Sequence, residues 1–209
     1  MDAQINTASV ADDPSLVVPY PKPVDDPDRE VRARIDAGDA SGALRLLMQR
    51  HGAAIYRFCR EALRDDALAA DVQQQVFVEA YRDLARFRGQ SSVRTWLFGI
   101  ARHRCLDAAK GRRRWTQRFK NDAGDEPVDP RPTAGDRIDD VRLRTALNEC
   151  LDEIGEHIRT AVLLRYQQGF SYEDMASVCR EKANTLQARV LRALPILRRC
   201  IETRTGGAV

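Results

Sequence analysis

Apolar positions recur along this chain at intervals of three and four, the period of an amphipathic helix, and no stretch sustains the two-residue alternation of a half-buried strand. In the first half, Leu44, Leu47, Ile55, Phe58 and Ala62 fall on one helical face, and Val72, Val76, Ala80, Leu84 and Phe87 on another. Gly89 is expected to end that second helix, and Ser91 or Ser92 to cap a third in which Val93, Leu97, Ile100 and Ala108 share a face. Further on, Leu147, Leu151 and Ile154, then Ala161, Val162 and Leu164, predict two more helices before a turn at Gly169. The final pattern is a short helix capped by Ser171 and holding Met175 and Val178, the polar connection CREKAN, and a longer helix that buries Leu186, Val190, Ala193 and Leu197. The fold class this predicts is all-α.

Two stretches interrupt the helical pattern. Five of the nine prolines fall in the first 27 residues, where they remove backbone donors. Residues 121–137 mix Gly124, Pro127, Pro130, Pro132 and Gly135 with acids, the composition of a flexible linker. The expected organisation is a disordered tail (1–27), a helical domain (28–115), a linker (116–139), a second helical domain ending in a helix-turn-helix (140–202) and a short tail (203–209).

Charge sharpens the picture. The net charge is only +3, but residues 94–120 carry 9 basic groups and 1 acidic one, while residues 1–30 carry 2 and 7 and residues 121–141 carry 2 and 7. Intensely basic surface is thus flanked by acidic spacers. With 43% hydrophobic residues, no apolar run of membrane-spanning length and no basic-then-apolar N-terminal signal, the chain is expected to be a cytoplasmic protein. Five cysteines (Cys59, Cys105, Cys150, Cys179, Cys200) stand singly, which signals no disulfide framework and predicts that most are reduced core residues; His103 and Cys105 alone do not make a metal site. No paired carboxylates, nucleophile with base or phosphate-cradling glycine loop is visible, so the protein is expected to be no enzyme and to need no cofactor.

Two segments carry candidate chemistry. The helix-turn-helix pattern of residues 171–194 exposes Asn184, Thr185, Gln187, Arg189 and Arg192 on the face opposite its apolar stripe; Gln and Arg there could pair with base edges in a major groove, although the same pattern fits a plain helical hairpin with a solvated charged face. Residues 94–114, RTWLFGIARHRCLDAAKGRRR, mix cations with Trp96 and Phe98. Cations hold a phosphate backbone and aromatic surfaces receive unstacked bases, whereas the aromatics alone would equally suit a core.

The stretches ADVQQQVFVEAY (70–81) and RFRGQSSVRTWLFGIARHRCLD (86–107) resemble the second conserved region of extracytoplasmic-function sigma factors, and LLRYQQGFSYEDMA (163–176) with TLQARVLRA (185–193) resembles their fourth. The two blocks stand in the right order with a linker between them. The resemblance implies a subunit that directs RNA polymerase core enzyme to promoters and helps melt them. Asp71, Gln74, Gln75 and Phe77 would contact core polymerase, its β and β′ subunits being the implied partners. Arg88, Ser92, Arg94, Trp96, Arg102, His103, Lys110, Arg112, Arg113 and Arg114 would engage the minus-ten promoter DNA, and the face from Asn184 to Arg192 the minus-thirty-five element. An anti-sigma factor binding both domains is the implied regulator; the acidic tail lying on the Arg112–Arg114 cluster is the rival mechanism.

Departures from the family pattern fall at Gln75, usually acidic, at His103, commonly Asn, at Gly155, Glu156 and His157, which replace a proline-containing turn, and at Arg180 and Glu181, which replace a glycine and an apolar residue. Pro195 falls late in the recognition helix, where it removes one backbone bond and meets the carbonyl of Leu191.

Overall fold

A computed structural model describes residues 28–118 and 138–206, and over them the chain is helical with no strand. The expected N-terminal tail, nearly all of the expected linker and the last three residues lie outside the described residues. The first domain contains α1 (Arg29–Asp36), α2 (Ala40–Leu63), α3 (Asp66–Asp83) and α4 (Val93–Arg118); the second contains α5 (Ile138–Glu153), α6 (Glu156–Val162), α7 (Tyr172–Cys179) and α8 (Ala183–Thr205).

Side-chain caps open three of the four helices of the first domain. Asp39 accepts the Gly42 amide at 2.8 Å and opens α2, which stops at Arg64 in a left-handed conformation, φ +55°. The next residue, Asp65, accepts the Leu68 amide at 2.8 Å and opens α3, so this corner turns within two residues and without glycine. Helix α3 ends at Asp83, before the expected Gly89, because a 3-10 turn over residues 84–86 tightens it and the Phe87 amide bonds the Leu84 carbonyl at 3.1 Å. Ser92, rather than Ser91, caps α4 by accepting the Thr95 amide at 2.9 Å.

Helix α1 has no counterpart in the periodicity analysis. It buries only Val31, too little for an isolated two-turn helix, and is anchored where His51 meets Asp28 at 2.9 Å, both buried. Its existence is a tertiary effect.

In the second domain, α5 buries Ala146, Cys150 and Leu151, and Ile154 just past its end is buried too, while Leu147, expected on the buried face, is exposed. After α6 the helix widens over residues 163–167, with the Gln168 amide reaching the Leu163 carbonyl five residues back at 3.0 Å. Gly169 then turns at φ +69° and aims Phe170 inward, where it is buried. Helix α8 runs through Pro195, an exposed position, to Thr205.

The cysteines correct one expectation. Cys59, Cys105 and Cys179 are free and buried, but Cys150 and Cys200 form a disulfide that ties α5 to the C-terminal half of α8 across 50 residues. Single scattered cysteines hid this pairing because only the packing of α5 on α8 brings them to a Cα separation of 5.8 Å.

The buried apolar residues of both domains form one continuous cluster. Phe58 of α2 meets Phe98 of α4 edge-on at 5.5 Å, and Phe98 meets Phe170 of the second domain at 5.1 Å, so the seam between domains is part of the core.

Because the disulfide closes a long loop, its reduction is expected to lower the stability of the second domain by about 2–4 kcal/mol. Urea unfolding with and without dithiothreitol measures this, and Cys200→Ser should abolish the response to reductant.

Candidate polymerase and nucleic-acid interface

On α3, Asp71, Gln74 and Gln75 are exposed, whereas Phe77 is buried and forms the floor of an open apolar groove of about 380 Å³ between α2 and α3. Gln74 lines this groove; Asp71 and Gln75 do not. Gln73 is committed internally, its side-chain amide donating to the Gly52 carbonyl at 2.8 Å. Sequence reasoning missed the groove's apolar rim of Met48, Val78 and Tyr81, which are 51%, 45% and 45% exposed. The available signal was that these three fall off the buried stripes of their helices.

Helix α4 divides its cations between the surface and the domain seam. Arg88, at its approach, is exposed and donates to the Ala85 carbonyl at 3.0 Å, and the Ser92 hydroxyl is occupied as the helix cap. Trp96 is half-buried against Phe87, 5.1 Å between ring centres. His103 is exposed and sits 3.1 Å from Asp107, while Cys105 two residues on is turned into the core, so the two do not converge on a common site. Lys110, Arg112, Arg113 and Arg114 are exposed in the C-terminal half of the helix, and Arg118 in its last turn complements the negative end of the helix dipole. Arg112 lies 3.7 Å from Asp65, and Arg113 reaches Glu156 of the second domain at 3.2 Å. Trp115, one residue beyond the basic cluster the sequence singled out, adds an exposed aromatic ring.

Arg94 and Arg102 behave differently. The Arg94 guanidinium stacks 4.0 Å from the centre of the Phe170 ring and 5.3 Å from that of Phe98, and donates to the Gln168 carbonyl. Arg102 approaches Glu181, in the turn between α7 and α8, at 3.5 Å. Both were expected to face DNA; in this structure both face the second domain.

The helix-turn-helix forms as the sequence predicts. Ser171 accepts the Asp174 amide at 3.1 Å, α7 buries Met175, Val178 and Cys179, and α8 buries Leu186, Val190, Ala193 and Leu197. Asn184, Thr185, Gln187 and Arg192 are exposed on the opposite face. Arg189 is the exception to that face: it makes a two-pronged pair with Glu181 at 3.1 and 2.6 Å. The hydrogen-bonded Arg189 guanidinium holds the Glu181 carboxyl below its usual range, and Glu181 in turn raises Arg189. The turn itself places Arg180 in the left-handed region, φ +56°.

These parts define a class of protein: a two-domain helical factor with a basic helix and an open apolar groove in one domain and a helix-turn-helix in the other. Residues 47–115 match the family model for sigma-70 region 2. The chain is 30% identical over 176 residues to the RNA polymerase sigma-H factor of Pseudomonas aeruginosa, covering 79% of this chain and 89% of that one. It is 29% identical over 183 residues to the ECF RNA polymerase sigma-E factor of Haemophilus influenzae, covering 84% and 95%. Its structure resembles the sigma factor RpoE of Bartonella quintana, solved with the anti-sigma factor NepR, at TM-score 0.65 and 25% identity over 78% of this chain and 97% of that one. It shares its fold with CnrH, solved with the cytosolic domain of CnrY, at TM-score 0.63 and 24% identity over 84% and 97%. The chain belongs to the extracytoplasmic-function sigma factors, and its function is transcription initiation with RNA polymerase. No described helix is long and apolar enough to cross a membrane.

A left-handed backbone costs an arginine about 1 kcal/mol that glycine does not bear. Arg180→Gly is therefore expected to raise the stability of the helix-turn-helix domain by about 1 kcal/mol, read as a higher urea midpoint.

Proposed function

We propose that the groove between α2 and α3 docks on core polymerase in the cytoplasm, that the exposed end of α4 engages the minus-ten DNA, and that α8 reads the minus-thirty-five element. The observation that carries this division is the exposed apolar rim of Met48, Val78 and Tyr81 around Gln74 and Phe77, because contiguous apolar surface on a small domain marks a protein-binding site. The β′ subunit is the partner for this groove. Asp71 and Gln75, exposed beside the groove without lining it, would bind at its margin.

On the DNA side, Lys110, Arg112 and Arg114 supply phosphate contacts, joined by Arg113 once its pair with Glu156 opens, while Trp96 and Trp115 offer rings for unstacked bases. Opening a duplex costs a few kcal/mol per extruded base, and stacking on these rings offsets part of that cost. Asn184, Thr185, Gln187 and Arg192 present donors and acceptors to a major groove. The chemistry is binding, with no covalent step. We assign regulation to an anti-sigma partner that engages both domains, in keeping with the partner-bound state of the RpoE structure; the acidic tail of the rival mechanism lies outside the described residues, as does nearly all of the acidic linker that motivates the partner mechanism.

Reconstitution with core polymerase tests the assignment, with transcript start sites mapped to identify both promoter elements. Val78→Asp is expected to weaken core binding by at least tenfold, since it buries a charge in an apolar contact; unchanged affinity would remove the groove from the interface.

Arg192→Ala is expected to cost roughly 1–3 kcal/mol at minus-thirty-five-dependent promoters and relax one base preference if it reads a base, or to weaken all sequences equally if it holds a phosphate. Promoter binding by the reconstituted holoenzyme, measured across single-base variants of the element, separates the two.

A further inference from the structure

Glu181 takes hold of one cation from each helix that the reading above assigns to DNA. Its carboxylate accepts two hydrogen bonds from Arg189 of α8, at 3.1 and 2.6 Å, and lies 3.5 Å from Arg102 of α4. The three side chains are only 14% (Arg102), 26% (Glu181) and 24% (Arg189) exposed, so this is a partly desolvated triad rather than a passing surface contact. Two further cations of α4 meet the second domain, Arg113 from a largely exposed position. Arg94 stacks on Phe170 and donates to the Gln168 carbonyl, and Arg113 pairs with Glu156 at 3.2 Å. With both of its terminal nitrogens on an internal carboxylate, the Arg189 guanidinium has that edge closed to the two-pronged bond it would make to a guanine edge or a phosphate.

We propose that Glu181 is a self-masking carboxylate that clamps the two DNA-reading helices to each other in the free protein, and that this clamp must open before both can engage promoter DNA. The proposal rests on the assignment of α4 and α8 to DNA. Its physical logic is competition: the carboxylate occupies the acceptor position that nucleic acid would fill, and it does so once for both domains, so one residue couples their release. Core polymerase, by separating the domains, would free Arg102 and leave Arg189 to exchange Glu181 for DNA.

The test uses the full-length chain without polymerase and two labelled probes, a random-sequence 30-base-pair duplex and a 20-nucleotide single strand, with binding followed by fluorescence anisotropy. Three variants are compared. Glu181→Gln keeps the shape and removes the charge. Glu181→Asp keeps the charge but shortens the reach to Arg102. Glu173→Gln removes an exposed negative charge from α7 that has no part in the triad. Small-angle scattering of each variant reports whether the domains separate, and circular dichroism confirms folding.

The expected result is that Glu181→Gln binds both probes roughly tenfold more tightly at low salt, with the gain shrinking as salt rises. Glu181→Asp should show a smaller gain at unchanged net charge, Glu173→Gln less than a twofold change, and only the Glu181 variants an increased radius of gyration. Equal behaviour of Glu181→Gln and Glu173→Gln, or weaker binding by Glu181→Gln with no expansion, would overturn the clamp and leave Glu181 as a buttress for Arg189. Expansion without tighter binding would instead overturn the assignment of α4 and α8 to DNA, and the proposal with it.

Discussion

The contact on which the rest of the arrangement depends is the aromatic series Phe58, Phe98 and Phe170, closed by the guanidinium of Arg94. Phe58 and Phe98 hold α2 against α4 within the first domain, and Phe170 extends the same packing into the second. Burying rings of this size is worth about 2–3 kcal/mol each, and edge-on pairing with a stacked cation adds about 1 kcal/mol more. Phe170 can reach this position because the chain widens over residues 163–167 and turns at Gly169. A local departure from regular helix thus sets the relation between two domains.

Electrostatics then follows geometry. Once Phe170 brings α7 against α4, Arg94, Arg102 and Arg113 meet acceptors from the second domain, while Lys110, Arg112 and Arg114 stay on the outside. The basic helix therefore has two populations of cations, one available to a phosphate backbone and one spent on closure. The left-handed Arg180 belongs to the same economy of the turn: α7 ends there with the Arg180 amide bonding Ala176, and the next residue is the carboxylate that gathers Arg102 and Arg189.

What the sequence made legible is what local periodicity controls. The stripe of Leu186, Val190, Ala193 and Leu197 and the cap at Ser171 were readable because neighbours three or four residues apart define them. The all-α class and the family followed from such local patterns and from motif order. Features set by distant residues were not readable. Helix α1 depends on the Asp28–His51 contact across 23 residues, the Cys150–Cys200 bond spans 50, and Arg102 meets Glu181 across 79. The site was accordingly half legible: exposed positions such as Gln74, Thr185 and Arg192 were placed correctly on their helical faces, but Arg94 and Arg102 were drawn away by a domain contact, and Arg189 by the carboxylate of the preceding turn, neither of which a helical wheel contains. The apolar rim of the groove between α2 and α3 was missed for the opposite reason, because Met48, Val78 and Tyr81 read as ordinary apolar residues until the buried stripes were known.

The account as a whole turns on the domains being closed on each other through the Phe98–Phe170 seam in the free protein. Single-molecule energy transfer between dyes placed at Arg86 and Arg198, whose side chains are 85% and 81% exposed, measures this directly. A closed protein gives one narrow distance distribution, which core polymerase should replace with a different one. A broad distribution in the free protein, unaltered by replacing Phe170 with alanine, would contradict it.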